Sequence, residues 1–376
     1  MHYLDYAATT PVLPEVSAEV RRVLENEFGN PSSQYRLGRK AKELVARSRA
    51  TVAGALGCGA SELYFTSCGT ESDVWAIRGA LWVNRHVGKH IVTTAVEHSA
   101  VIETLKQLDA EGFETTYIKP DRNGRITAEQ VADAVRSDTA LVSVMSVNNE
   151  LGNIYPVADI AKMLKSRGSS ALLHTDAVQA FLKIPLDAKT LGADLISVSA
   201  HKLGAPKGIG ALYIRSGLNF RPLLPGGGQE NGLRSGTEAT AQIAGFAKAV
   251  EICAVNFDTI TERARAIQKY AAVRLMGIDG IKFIGEPTAP HVLSFTLPGY
   301  PSQNIVSELD AKDIFISAGS ACHRGKPSHV VSALGLSKKE AAGVVRIRFG
   351  PDTNEADIDA LVEALKAHVA SRFPML

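Results

Sequence analysis

Short apolar, β-branched runs recur through the middle of the chain, at Ile91–Val96, Thr115–Ile118, Leu141–Val147, Ala171–Thr175, Leu195–Val198 and Ala211–Ile214. Runs of this length read as strands, and their near-continuous apolarity predicts strands covered on both faces. Helical spacing also appears: Leu37, Ala41, Leu44, Val45, Ser48, Val52 and Leu56 fall largely at steps of three and four. Strands alternating with helices predict an α/β fold, with a large domain built on a mostly parallel, mixed sheet.

The pattern changes after about residue 255. A helical stretch at Ile260–Met276 precedes shorter strand candidates at Val292–Thr296 and Val344–Phe349. The last helix carries Ile358, Leu361, Val362, Leu365 and Val369 on one face, and Asn354 is placed to cap it. This part predicts a second, smaller α+β domain. Pro222–Gly228 is rich in breakers and reads as a surface loop.

Charge narrows the partner classes. Among 376 residues, 41 Lys+Arg stand against 39 Asp+Glu, a net of +2. A dedicated nucleic-acid or membrane-surface binder would show a basic excess, so neither partner is expected. No apolar run approaches the roughly 20 residues of a membrane helix, and Met1–Tyr6 lacks a basic segment followed by an apolar one. A soluble, cytoplasmic chain is the expectation. The four cysteines are scattered, which supports neither a disulfide framework nor a metal site. Cys58 and Cys253 read as small buried hydrophobes.

Three segments carry candidate chemistry. Thr66–Ser72 (TSCGTES) follows a strand-like Glu62–Phe65 and opens a helix over Ser72–Leu81, so free N–H groups would face a phosphate. Taken alone, an ordinary helix cap is the better reading there, and no Walker A or GxGxxG pattern is present. His174–Gln179 places Asp176 at the end of a strand, where ligands of open α/β sheets sit, although the residue is equally placed to cap the next helix. Ser199, His201 and Lys202 crowd the next strand end, before a Gly/Pro-rich turn. A partly desolvated Lys near another cation forms Schiff bases, although a solvated turn lysine is the commoner fate. A lysine, a carboxylate and phosphate donors on adjacent strand ends are what pyridoxal phosphate requires.

With these motifs in order, the chain resembles the cysteine desulfurases, a class V aminotransferase branch of the fold-type I pyridoxal-phosphate enzymes. The resemblance rests on Tyr3–Pro11 (YLDYAATTP), Gly29–Ser33, TSCGTES, Glu97-His98, Val147–Glu150 and DAVQ. It continues through Ser199–Gly210 (SAHKLGAPKGIG), Gly226–Glu230, Arg234–Thr237, Ser317–Cys322 (SAGSAC) and Arg346. It implies a large domain at residues 15–255 and a small one combining 1–14 with 256–376. It implies that Lys202 holds the cofactor and moves the substrate Cα proton, with Lys202, Cys322 and His98 catalytic. Asp176 would keep the ring nitrogen protonated, Gln179 would bond the ring hydroxyl, and His98 would stack on the ring. Gly69, Thr70, Ser199 and His201 would hold the phosphate, with Thr237 supplied by the other subunit of a homodimer. Asn149 and Arg346 would bind the substrate carboxylate, an Arg fork matching it bidentately.

The implied reaction converts L-cysteine to L-alanine through a ketimine of pyridoxal 5'-phosphate. Cys322 becomes a persulfide, and its sulfur then passes to an acceptor protein. His323, Arg324 and Lys326 follow Cys322, so a depressed thiol pKa is expected. The alternatives are a selenocysteine lyase or other β-eliminating lyase, and a sulfur-relay component with vestigial activity. The segment after Cys322 (HRGKPSHV) is shorter and more basic than in typical group I members, which implies a narrower range of acceptors. Other departures are Gln34-Tyr35-Arg36, Cys68 where the family usually has Gly, and Arg348 where it often has Ser. A second guanidinium beside Arg346 is expected to bind solvent or alter substrate fit.

Overall fold

The computed structural model describes residues 1–319 and 327–374, so Cys322 lies outside the described residues. The chain opens with a two-residue strand, β1 (His2–Tyr3). A seven-stranded sheet then takes β2 (Leu63–Thr66), β3 (His90–Thr94), β4 (Glu114–Ile118), β5 (Thr139–Ser143), β6 (Leu172–Asp176), β7 (Leu195–Ser199) and β8 (Gly210–Ile214). Their order is β2-β8-β7-β6-β5-β3-β4. Pairing is parallel from β7 across to β4, and β8 alone runs antiparallel to its two neighbours. The mostly parallel, mixed sheet expected from the apolar runs is present. Its β5 ends at Ser143, before the predicted Val147, although Val144 and Ser146 still donate to the His174 and Asp176 carbonyls of β6 at 3.0 and 2.9 Å, and Val147 then bridges to Ile154.

Successive strand residues face opposite ways, and here both faces are covered. Val92, Val142, Leu173, Ile196 and Ala211 enter one core. Ile91, Leu141, Leu172, Leu195 and Leu212 enter the other. The first is closed by helices Arg36–Leu56, Val157–Ser166 and Thr240–Val255, the second by helices Gly69–Val83 and Ser99–Ala110. Each fully buried aliphatic side chain contributes about 1.5–3 kcal/mol, which is why both faces of these strands read as apolar.

The C-terminal part forms a four-stranded antiparallel sheet from β9 (Lys282–Ile284), β10 (Val292–Thr296), β12 (Ser317–Ala318) and β13 (Val344–Arg348), in the order β12-β13-β10-β9. Between them, β11 (Ile314–Phe315) pairs in parallel with β1, so Leu4 joins a core with Phe295, Ile347, Leu361 and Leu365. The last helix, Glu355–Ser371, is capped as expected: Asn354 Oδ1 accepts from the Ala356 N–H at 3.0 Å, and Asp357 returns a bond to the Asn354 N–H. Strand β13 alternates. Val345 and Ile347 enter the C-terminal core, while Val344 packs in the core of the large sheet. Arg346 and Arg348 share the Val344 face. No helix among the described residues is long and apolar enough to cross a membrane.

Candidate active site

A cavity of about 430 Å³ opens beside the carboxyl ends of β6 and β7. Asp176 ends β6, and its Oδ1 accepts the Val178 N–H at 2.9 Å. It therefore both caps a turn and lines the cavity, and the two readings of this residue coexist. Ser199 ends β7, and its buried Oγ has no partner among the described residues. A short 3₁₀ turn, Ala200–Lys202, then carries Lys202 over the cavity, where Nζ donates to the carbonyls of Ala7 and Ala8 at 2.6 and 2.7 Å. Gln179 and His201 line the same space.

The turn after β2 departs from the expected cap. The helix begins at Gly69, three residues before the predicted Ser72, and Cys68 at the N-cap makes no side-chain capping bond. Instead Glu71 accepts the Ser67 N–H at 3.0 Å, and Thr66 Oγ1 meets Ser72 Oγ at 2.7 Å. The hydroxyls brace the turn internally, while Gly69 and Thr70, whose N–H groups lack intrahelical acceptors, line the cavity. A Cβ on Gly69 would stand 2.9 Å from Val178 Cγ2, so a glycine allows this close approach. Thr237 lies elsewhere, in a cavity of about 200 Å³ with Ser67, Glu230 and Arg234.

Burial sets the electrostatics. Desolvation, then the charges of Arg348 and Arg346, push the Lys202 pKa down to about 7, against the pull of Asp5 and Asp176. His201 is pushed down to about 4, first by burial and then by Lys202. Burial raises Asp176. Asp73, fully enclosed, is held well above the usual carboxylate range by burial and by Asp176. One ligating atom each from Asp73, Asp176 and His98 lie within 4.8 Å of one another. His98 caps the helix Ser99–Ala110 by accepting the Ala100 N–H at Nδ1, which leaves the neutral ring its proton on Nε2.

Glu97 is also buried against the cavity. Its Oε1 accepts from Thr94 Oγ1 and the Met145 N–H, its Oε2 has no partner among the described residues, and desolvation pushes its pKa up to about 8. A raised folded-state pKa means that the folded state holds a proton the unfolded chain has lost between about pH 4.5 and 8. That contribution is complete below the unfolded value and is lost as pH rises through the window. Glu97→Gln keeps a neutral, isosteric group, so the stability difference between wild type and variant should shift by about 1.4 kcal/mol per pH unit there. Denaturant titrations from pH 5 to 8 measure it, and parallel curves would contradict the assignment.

Arg346 is clamped on three sides. Nη2 meets Asp5 Oδ1 at 2.9 Å and Ser317 Oγ at 3.0 Å, Nη1 donates to the Asn149 carbonyl at 3.0 Å, and the buried Nε has no partner among the described residues. Asn149 and Arg346, paired by the resemblance, both line the cavity and touch directly. Arg348 differs from expectation. It is buried, does not line the cavity, and donates to the Tyr6 carbonyl and to Gln179 Oε1. Its place on the inward face of β13, under the N-terminal segment, keeps it from solvent.

Cys322, with the basic residues after it, lies outside the described residues, but both flanks of its segment are fixed. Gly319 N–H donates to Val344 O at 2.9 Å, and Ser328 N–H donates to Gly319 O at 3.1 Å. Ser328 Oγ reaches Glu150 Oε2 at 2.6 Å, and His329 Nε2 contacts the Glu97 carbonyl at 2.7 Å. Cys58 and Cys253 are free and half-buried against the large core, and burial pushes their thiols up to about 12 and 11. Sequence reasoning gave no role to Asp73, Glu97, Asp5 or the Ala7 and Ala8 carbonyls. Glu97 and the N-terminal segment lay inside motifs of the resemblance, whereas Asp73 carries no local signal.

Residues 2–361 match the family described as aminotransferase class-V. The chain belongs to that family. It is 39% identical over 381 residues to the cysteine desulfurase IscS of Clostridium botulinum strain Hall, covering 99% of this chain and 95% of the relative. A solved NifS-like protein superposes with a TM-score of 0.93 at 34% identity, covering 98% of this chain and 99% of the other. A structure described as SspA in complex with cysteine gives 0.82 at 34% identity, over 93% and 99%. The resemblance to cysteine desulfurases drawn from the motifs is borne out, as is the fold class.

This family depends on pyridoxal phosphate, and the residues present fit that group. Two neighbouring buried carboxyl groups, both with raised pKa, leave the site short of a cation such as a protonated ring nitrogen. The orphaned Ser199 hydroxyl and the open first turn at Gly69 offer donors to an anion. A neutral amine on Lys202 suits an aldehyde.

Proposed function

We propose that this class-V aminotransferase is a cysteine desulfurase, converting L-cysteine and the Cys322 thiol to L-alanine and a Cys322 persulfide. The observation that carries the reading is the desolvated amine of Lys202, in one cavity with the Asp176 carboxylate and the Arg346 guanidinium. Pyridoxal 5'-phosphate, when bound, supplies an electron sink conjugated to the substrate Cα. Lys202 would hold it, Asp176 would face its ring nitrogen, His98 would cover its ring, and Gly69, Thr70, Ser199 and His201 would take its phosphate, with Thr237 from a second subunit.

Arg346 binds and orients the substrate carboxylate. Asp5, Ser317 and the Asn149 carbonyl hold the fork at the cavity wall and stop it from turning away. Lys202 Nζ, whose pKa burial brings down to about 7 so that a substantial share is unprotonated at neutral pH, accepts the Cα proton and later returns it. The Cys322 thiolate forms an S–S bond to the substrate sulfur as the C–S bond breaks; the C–S electron pair stays with Cβ, which takes a proton to become the alanine methyl group, so the persulfide keeps both sulfurs and alanine carries none. Cysteine as substrate is supported by the cysteine complex of SspA. A sulfur-acceptor protein, a homodimer and a cytoplasmic setting belong to the same reading.

The test is a single-turnover experiment without acceptor or reductant. Purified protein given L-cysteine should form one alanine per chain and gain one sulfur on Cys322 in the peptide mass spectrum. Free hydrosulfide accumulating while Cys322 stays unmodified would overturn the reading in favour of direct elimination.

A further inference from the structure

Arg348 is fully enclosed and forms no ion pair among the described residues. A buried charge is tolerated only when it is hydrogen-bonded, and here the bonds run to uncharged groups. Nη1 donates to the Tyr6 carbonyl at 2.8 Å and to Oε1 of Gln179. Gln179 is buried as well, and it lines the cavity. With Oε1 occupied, its remaining polar atom is Nε2, which donates to the Ala7 carbonyl at 3.3 Å. That carbonyl also accepts Lys202 Nζ at 2.6 Å. A side-chain amide presents either end to its surroundings, and the partner of one end decides what the other offers.

We propose that Arg348 is a positioning residue, which holds Gln179 by its oxygen so that the amide offers only N–H donors to a group carried by Lys202. Resting on the desulfurase reading, that group is the oxygen substituent of the pyridoxal ring. A donor fixed on that oxygen draws electron density from it and weakens its hold on the proton of the neighbouring lysine nitrogen. The charges that bear on Lys202 divide by sign: Arg346 stands with Arg348, and Asp5 and Asp176 oppose them, while Lys183 and His201, both pushed down by burial, lie near it. Tyr3 and His291 lie close to Arg348 itself.

The experiment is a pH titration of the visible absorption band of the holoprotein. Arg348→Met, a neutral replacement of similar length, should raise the midpoint by about 1 pH unit. In a Gln179→Leu background the same change should move it clearly less, because only the direct charge of Arg348 on Lys202 is then lost and the share relayed through the amide is gone. Equal shifts in both backgrounds, or an unmoved midpoint, would overturn the proposal. Should Arg348→Met not fold, Arg348→Lys keeps the charge without the planar fork and should still raise the midpoint, by a smaller amount. A second readout does not need the cofactor: the Gln179 side-chain amide resonances of the apoprotein, slowly exchanging in wild type, should become averaged or fast-exchanging in the variant. A wild type without a visible band defeats the reading of function, and the amide resonances then decide the role of Arg348 alone.

Discussion

Lys202→Ala protein, given excess pyridoxal phosphate, is expected to show no lysine-dependent visible band and to form alanine from L-cysteine about 10⁴-fold more slowly than wild type. The effect is large because two tasks meet on one nitrogen. Nζ is the group placed to capture an aldehyde, and burial and two guanidinium groups bring its pKa down to about 7, so that much of it is unprotonated at neutral pH. His201 is a poor substitute, since burial holds its pKa down to about 4, which makes it a weak base, and its Nδ1 is engaged with Thr9 Oγ1. The fold should survive, because the two bonds lost go to carbonyls of the N-terminal segment, whose His2, Tyr3 and Leu4 remain anchored on β11. Absorption spectra and an alanine assay measure both halves. A band of wild-type strength in the variant would show that Lys202 does not hold the cofactor.

Asp176→Asn should come next in size, at about 3–5 kcal/mol in turnover, or two to nearly four decades. The substitution leaves shape and the Val178 N–H bond intact, because an amide oxygen accepts that bond as well as a carboxylate does. What it removes is the charge that would keep a ring nitrogen protonated in a site fully withdrawn from water. It also relieves Asp73, whose raised pKa depends partly on Asp176, so the Asp73 carboxyl should fall toward the ordinary range. Single-turnover alanine formation, with cofactor occupancy measured in the same sample, checks the first expectation. Turnover within about threefold of wild type at full occupancy would contradict it.

Legibility from sequence divided along one physical line. Asp176, Ser199 and Lys202 stand out because each sits at or just past the carboxyl end of a buried strand, where polar side chains interrupt an apolar run. The strands and the capped final helix were readable for the same reason: period and cap are local. Asp73 lies inside a helix whose buried residues include Ser72, Trp75, Ala76 and Ile77, and its partner Asp176 is more than 100 positions away. Nothing within a few residues of Asp73 marks it. Arg346 and Arg348 are two apart on one strand, so one face was legible, but which of them turns to the cavity depends on Asp5 and Tyr6 at the far end of the chain. The helix start at Gly69 was placed late because the hydroxyls that signal a cap are spent on bracing the turn.

The bond between Ser328 N–H and Gly319 O has a consequence for how sulfur leaves. It brings the two described flanks, Gly319 and Ser328, together, one of them sewn to Val344 and the other to Glu150 beside the cavity. Cys322 is the third residue from Gly319, so covalent geometry alone leashes its Cα to within about 11 Å of that flank. On the desulfurase reading proposed above, a thiol on so short a tether would leave delivery to the recipient: an acceptor would have to bring its own thiol, on a protruding loop or a flexible tail, down to this rim.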